Sequence, residues 1–121
     1  MLNPTRTLRD NLNESLRLHR PKFSVEDIAE ALRIRSLLDE YPNTFSGGEL
    51  RLSSLARVLL AQPKILIADE PAVGLDLHLK ADILQVLLDH LPSNCSLLLI
   101  SHDESVHRFC VDDVMEISPC E

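Results

Sequence analysis

The sequence has no tryptophan, and aromatic residues make up only 3% of it. Single-strand nucleic-acid binders stack bases on aromatic side chains, and this chain has little material for such a surface. Basic residues are also outnumbered: 12 Lys and Arg stand against 19 Asp and Glu, a formal net charge of -7. Phosphate backbones are held by lysine and arginine in excess, so nucleic acid is not expected as a partner. Apolar runs are short, the longest lying around residues 95–100, far below the roughly 20 residues that cross a bilayer. Residues 1–6 are polar where a signal peptide would turn apolar, so export is not indicated. Cys95, Cys110 and Cys120 are odd in number and lack a C-x-x-C spacing, which favours free thiols in a reducing compartment over a disulfide frame or zinc site. A cytoplasmic location is the expectation.

Glycine is the scarcest informative residue, present only at Gly47, Gly48 and Gly74. A phosphate loop needs G-x-x-x-x-G-K-[ST], and these three positions cannot supply that spacing. The 121 residues suffice for one compact core or part of one.

Two styles of sequence meet near Phe45. Before it, Leu8, Leu12 and Leu16 behind Thr7, and Val25, Ile28, Ala29 and Leu32 behind Ser24, predict two helices. Thr7 with Asp10 and Ser24 with Asp27 place an acceptor at the N-cap and a carboxylate three residues on, a capping box with aspartate for glutamate. After Phe45 the pattern alternates: a helix over 49–60, an apolar strand over 65–68, a helix over 79–91 and a strand over 97–100. A short helix near 104–110 and a last strand around 114–117 complete it. Strands apolar on both faces and separated by helices indicate a parallel sheet covered on two sides.

Three loops carry candidate chemistry. Ser46-Gly47-Gly48-Glu49 opens a predicted helix, where free N–H groups and the positive end of the dipole suit an anion. The same four residues also spell the capping box S-x-x-E, which needs no ligand. Asp69 and Glu70 end an apolar strand, where an open parallel sheet places ligand groups. Asp69 suits magnesium and Glu70 suits an attacking water, although a solvated acidic strand end is the plainer account. Ser101-His102-Asp103 ends the next strand, and a histidine there can meet a terminal phosphate and the base. His19, His78, His90 and His107 are expected to be ordinary surface residues.

In order and spacing, Ser46-Gly47-Gly48-Glu49, Asp69-Glu70-Pro71, Gly74-Leu75-Asp76 and Ser101-His102-Asp103 resemble the signature loop, Walker B, D-loop and H-loop of ABC transporter ATPases. Arg57 and Pro63-Lys64 fall where that family has an arginine-containing helix and a proline before Walker B. Leu2-Asn3-Pro4, Leu16-Arg17-Leu18-His19 and Tyr41-Pro42 look most like the peptide, nickel and metallophore importer branch, beginning just after the Q-loop. Glu49 stands for the usual glutamine. Leu52 stands for an arginine that usually supports the loop.

The resemblance implies an α/β fold: an ABC helical subdomain over 1–45, then over 46–121 the C-terminal part of a RecA-like (P-loop NTPase) core, without the phosphate-loop strand. Such a sheet is expected to look incomplete, with apolar edges and faces unpartnered. The resemblance further implies ATP and Mg2+ as cofactors. Ser46, Gly47, Gly48 and Glu49 would serve ATP held by an opposite subunit, Asp69 would serve the metal, and Asp76 would cross the dimer interface. Glu70 would be the catalytic base and His102 the switch histidine. Expected partners are a second ABC ATPase subunit, a transmembrane permease and, indirectly, a solute-binding protein, with the chain peripheral on the inner face of the cell membrane. Import of a small solute such as a peptide or metal chelate is the implied task, with no turnover from this chain alone. The alternatives are a split or truncated module donating its signature loop in trans, and the C-terminal lobe of a non-transport ABC ATPase; the latter's long heptads are not found before Ser46.

Overall fold

The computed structural model describes residues 2–18 and 22–102. The elements expected near 104–110 and 114–117, with Asp103, His19, His107, Cys110 and Cys120, lie outside the described residues.

Helix α1 (Leu8–Leu18) buries Leu8 and Leu12 behind Thr7, whose hydroxyl accepts the Asp10 N–H at 3.2 Å. Helix α2 (Val25–Ala31) makes both halves of its capping box between Ser24 and Asp27, and it buries Val25, Ile28 and Ala29. Two 3-10 turns follow, Arg35–Leu37 and Pro42–Thr44. The leader is stitched to α1 by the buried Asn11, whose Nδ2 donates to the carbonyls of Asn3, Arg6 and Thr7 while its Oδ1 accepts the Asn3 N–H at 2.7 Å. A buried amide with those bonds made orders the backbone that its removal would leave unsatisfied.

Helix α3 (Gly47–Ala61) buries Leu52, Ala56, Leu59 and Leu60, spaced so that one stripe faces inward. It ends at Gln62 in the left-handed region, φ 49°, where the side-chain amide donates to the carbonyls of Leu59 and His90, each at 2.8 Å. Gln62 thereby joins the C-terminal end of α3 to that of α4 (Leu77–His90). Strands β1 (Ile65–Asp69) and β2 (Ser96–Ile100) pair in parallel, Ile67 opposite Leu98 and Asp69 opposite Ile100. One apolar cluster draws on all four helices, including Leu12, Ile28, Leu59 and Leu87, and half-buried Leu66 and Leu97 of the sheet pack against it.

The expectation of a sheet covered on both faces is corrected: Ile65, Ile67, Leu98 and Ile100 are 71%, 62%, 56% and 44% exposed. The helices among the described residues cover the face bearing Leu66 and Leu97 and leave the other exposed. His90 is a second correction, being half-buried rather than a plain surface residue. Its ring lies 4.6 Å from that of Phe23 and its Nδ1 donates to the Val86 carbonyl at 2.7 Å.

Candidate functional site

Of the residues singled out in sequence, the carboxyl ends of β1 and β2 bring together Glu70, Ser101 and His102. The Glu70 N–H donates to the Ile100 carbonyl at 2.8 Å, extending the ladder one rung beyond the strand. Glu70 itself adopts φ 49°, a left-handed conformation that costs a non-glycine residue about 1 kcal/mol. The chain thereby leaves the strand sharply and the Glu70 side chain swings toward β2. Its Oε1 accepts the His102 backbone N–H at 2.9 Å, and its Oε2 is 3.4 Å from the donating Ser101 hydroxyl. The His102 Nε2 lies 3.6 Å from Oε1, and the His102 side chain as a whole is 99% exposed. Glu70 and His102 are thus in one site, with the carboxylate oriented and the imidazole open to solvent.

A cavity of about 280 Å³ borders them, lined by Glu70, Pro71, Ala72 and Val73 on one side and by Lys80, Leu84, Ser101 and His102 on the other. Lys80, on the first turns of α4, was not singled out by sequence reasoning; no motif marks it, and only the packing of α4 brings it to the cavity.

Asp69 is exposed and, one residue before Glu70, sits on the bare side of the sheet with Ile65 and Ile67. No group of three His, Cys, Asp or Glu side chains able to hold a metal is assembled among the described residues. One exposed carboxylate at a strand end does fit magnesium, which commonly takes one or two carboxylates and completes its shell with water and phosphate oxygens. Asp76 caps α4, accepting the Leu79 N–H at 2.9 Å. That bond accounts for the residue locally and leaves it exposed at the helix start.

Ser46 and Glu49 make the full capping box: the Ser46 hydroxyl accepts the Glu49 N–H at 3.2 Å, and the Glu49 carboxylate accepts the Ser46 N–H at 2.9 Å. Gly47 and Gly48 sit in the first turn of α3 without left-handed φ. A Cβ at Gly47 would meet nothing within 4 Å and one at Gly48 only Leu75 Cδ2 at 3.8 Å. The fold therefore does not demand glycine at either place.

Leu52, standing where an arginine was anticipated, is buried in the core. Its neighbour Arg51 reaches the loop after Glu70, donating from Nη1 to the Val73 carbonyl at 3.1 Å and more weakly, at 3.5 Å, to that of Glu70. Sequence reasoning missed Arg51 because its acceptors are main-chain groups some twenty positions away, which no spacing rule identifies.

Acidic and imidazole groups at the carboxyl ends of parallel strands place this chain among α/β proteins of the open-sheet class, which present such strand ends to ligands. Comparison with known proteins narrows this. Residues 1–73 match the family described as ABC transporter. The oligopeptide transport ATP-binding protein OppF of Salmonella typhimurium is 32% identical over 123 residues, covering 94% of this chain and 37% of that protein. The dipeptide transport ATP-binding protein DppD of Bacillus subtilis is 36% identical over 123 residues, covering 93% and 37%. The glutathione import ATP-binding protein GsiA of Salmonella choleraesuis is 35% identical over 125 residues, covering 94% and 20%. Among solved structures, an ATP-binding cassette of an ABC transporter superposes with a TM-score of 0.58 at 26% identity, covering 80% of this chain and 46% of that one. A putative ABC transporter ATP-binding protein from Pyrococcus furiosus shares the fold, with a TM-score of 0.66 at 24% identity over 85% of this chain and 52% of the other.

The chain belongs to the ABC transporter family, and its fold is a helical part followed by part of a RecA-like parallel sheet. It spans 37% of the length of the first oligopeptide relatives it matches. No helix among the described residues is long and apolar enough to cross a membrane.

Proposed function

We propose that this chain supplies the signature loop, Walker B end, D-loop and switch histidine of an ATP-hydrolysing subunit that energises import of a small solute such as a peptide or metal chelate. In this reading residues 1–45 form the helical subdomain and 46–121 belong to the ATPase core. The observation that supports it best is the Glu70 carboxylate, held by Ser101 and the His102 N–H at the carboxyl end of two parallel strands. A base for an attacking water must be within hydrogen-bond reach and held in place, and phosphoryl transfer asks the protein mainly for positioning and charge neutralisation.

In this reading Glu70 accepts the proton of the water and the exposed His102 imidazole faces the terminal phosphate. Asp69 is the carboxylate that would hold Mg2+, which when bound neutralises phosphate charge. Ser46, Gly47, Gly48 and Glu49 present the N-terminus of α3 to ATP held by a second ABC ATPase subunit, and Asp76 lies on that interface. A permease and, through it, a solute-binding protein are the further partners. The working place is the cytoplasmic surface of the cell membrane.

These residues contain no phosphate loop. Nucleotide must then be presented by another polypeptide segment, and the chain alone turns over no ATP. A second reading, a silent module that donates its signature loop in trans, draws on the room around Gly47 and Gly48, where the fold itself has no use for glycine. The experiment is complementation: this chain is mixed with a phosphate-loop-bearing partner whose own signature serine and glycines are disabled. ATP-dependent association supports donation of the signature loop in trans, and no association overturns both readings. A subunit completed with a phosphate loop separates them, its hydrolysis supporting the main reading and its failure to hydrolyse the silent module.

A further inference from the structure

We propose that Arg51 is a positioning residue that fastens the first turns of α3 to the turn after Glu70, so that the signature end of the helix and the Glu70 carboxylate keep one fixed relation. The observation is the Arg51 guanidinium donating to the Val73 carbonyl at 3.1 Å, with the Glu70 carbonyl 3.5 Å from the same nitrogen.

The turn needs an external tie. Two of its residues, Glu70 and Gly74, have positive φ, 49° and 81°. Its own bonds are long, Val73 N–H to the Glu70 carbonyl at 3.2 Å and Leu75 N–H to the Ala72 carbonyl at 3.3 Å. Short, exposed turns with such bonds lie at the low-stability end of a fold and open locally. A charged donor makes a stronger bond to a carbonyl than a neutral one. Helix phase dictates which residue can provide it: Leu52 is committed to the core, and Arg51 beside it is exposed on the side where the turn passes. The same loop passes near the start of α3 at Leu75, whose Cδ2 lies 3.8 Å from where a Cβ on Gly48 would stand.

The proposal rests on the functional reading above for its consequence, not for its geometry. If α3 presents its N-terminus to one nucleotide while Glu70 serves another, Arg51 links occupancy at the first to the position of the base at the second.

Amide hydrogen exchange and amide chemical shifts on the full chain test the tie without nucleotide. Arg51→Ala is expected to speed exchange at residues 73–75 about three- to tenfold while α1 and α2 hold their protection, and Arg51→Lys to restore most of it. Gly74→Ala, which strains a left-handed position, is expected to shift the Gly47 and Gly48 amides in the wild-type background and to leave them unmoved in Arg51→Ala. A merely structural arginine would not change that transmission. Should Arg51→Ala fail to fold, Arg51→Gln against Arg51→Lys replaces it with the same expectations. Exchange at 73–75 altered by less than about twofold, or Gly47 and Gly48 responding alike in both backgrounds, overturns the proposal.

Turnover of a full-length subunit reconstituted with its phosphate loop then reads the consequence. Arg51→Ala is expected to lower kcat about three- to tenfold with KM for ATP unchanged. Wild-type turnover with equal kcat in Arg51→Ala overturns the role at the site, whereas absence of wild-type turnover overturns the functional reading and leaves the exchange result to decide the tie.

Discussion

Glu70 and His102, 32 positions apart in the chain, are joined by the His102 backbone N–H donating to Glu70 Oε1 at 2.9 Å. Because the bond uses the main chain of His102, the imidazole stays exposed to solvent, its Nε2 3.6 Å from Oε1, while the carboxylate is already aimed. If Glu70 is the base, Glu70→Gln in a full-length subunit reconstituted with its phosphate loop keeps ATP binding and slows hydrolysis about 10²–10⁴-fold. Phosphate release against ATP concentration is the measurement, and unchanged turnover removes Glu70 from that role.

Asp69 lies on the other side of the strand end and carries a separate expectation. Asp69→Asn removes the charge that suits magnesium, so both nucleotide affinity and the dependence of turnover on Mg2+ weaken together. A magnesium titration of the reconstituted full-length subunit distinguishes this from Glu70→Gln, in which affinity survives.

At Gly48 the structure separates charge from fold. With open space around a Cβ and no left-handed φ, Gly48→Ala and Gly48→Asp should both fold, the alanine form with up to about 1 kcal/mol of added helix stability. Only Gly48→Asp should abolish ATP-dependent association in light scattering, because it sets a carboxylate against phosphate. Equal association by wild type and Gly48→Asp would reduce residues 46–49 to a helix cap.

Titration calorimetry of the chain alone with Mg-ATP should show weak or no binding, since one helix N-terminus and one carboxylate do not replace a phosphate loop and its lysine. A dissociation constant in the low micromolar range would mean that nucleotide is held elsewhere.

The bare sheet face gives a prediction about solubility. Ile67 and Leu98 face each other in register and both are largely exposed, so Ile67→Lys gives up little burial and should change stability by no more than about 0.5 kcal/mol while reducing self-association. Leu59→Ala, by contrast, empties a fully buried site and should cost about 2–5 kcal/mol. Denaturant midpoints and sedimentation on the two variants check both.

Local rules reach far into this molecule and then stop. The helix starts at Ser24 and Ser46 were legible because a capping box involves residues three apart, and the strands at Ile65 and Ser96 because apolar runs between helices have few other uses. The parallel pairing followed from that alternation. Acidic residues at a strand end and glycines at a helix start also marked the candidate site, since their chemistry is local. Which atoms meet was decided only by tertiary structure. The left-handed turn at Glu70 brings its carboxylate to Ser101 and His102, the phase of α3 sends Leu52 inward and Arg51 to the Val73 carbonyl, and Gln62 ties two helix ends through main-chain acceptors. Such bonds to the backbone carry no side-chain signature at the accepting residue, and only the packed chain brings donor and carbonyl within reach.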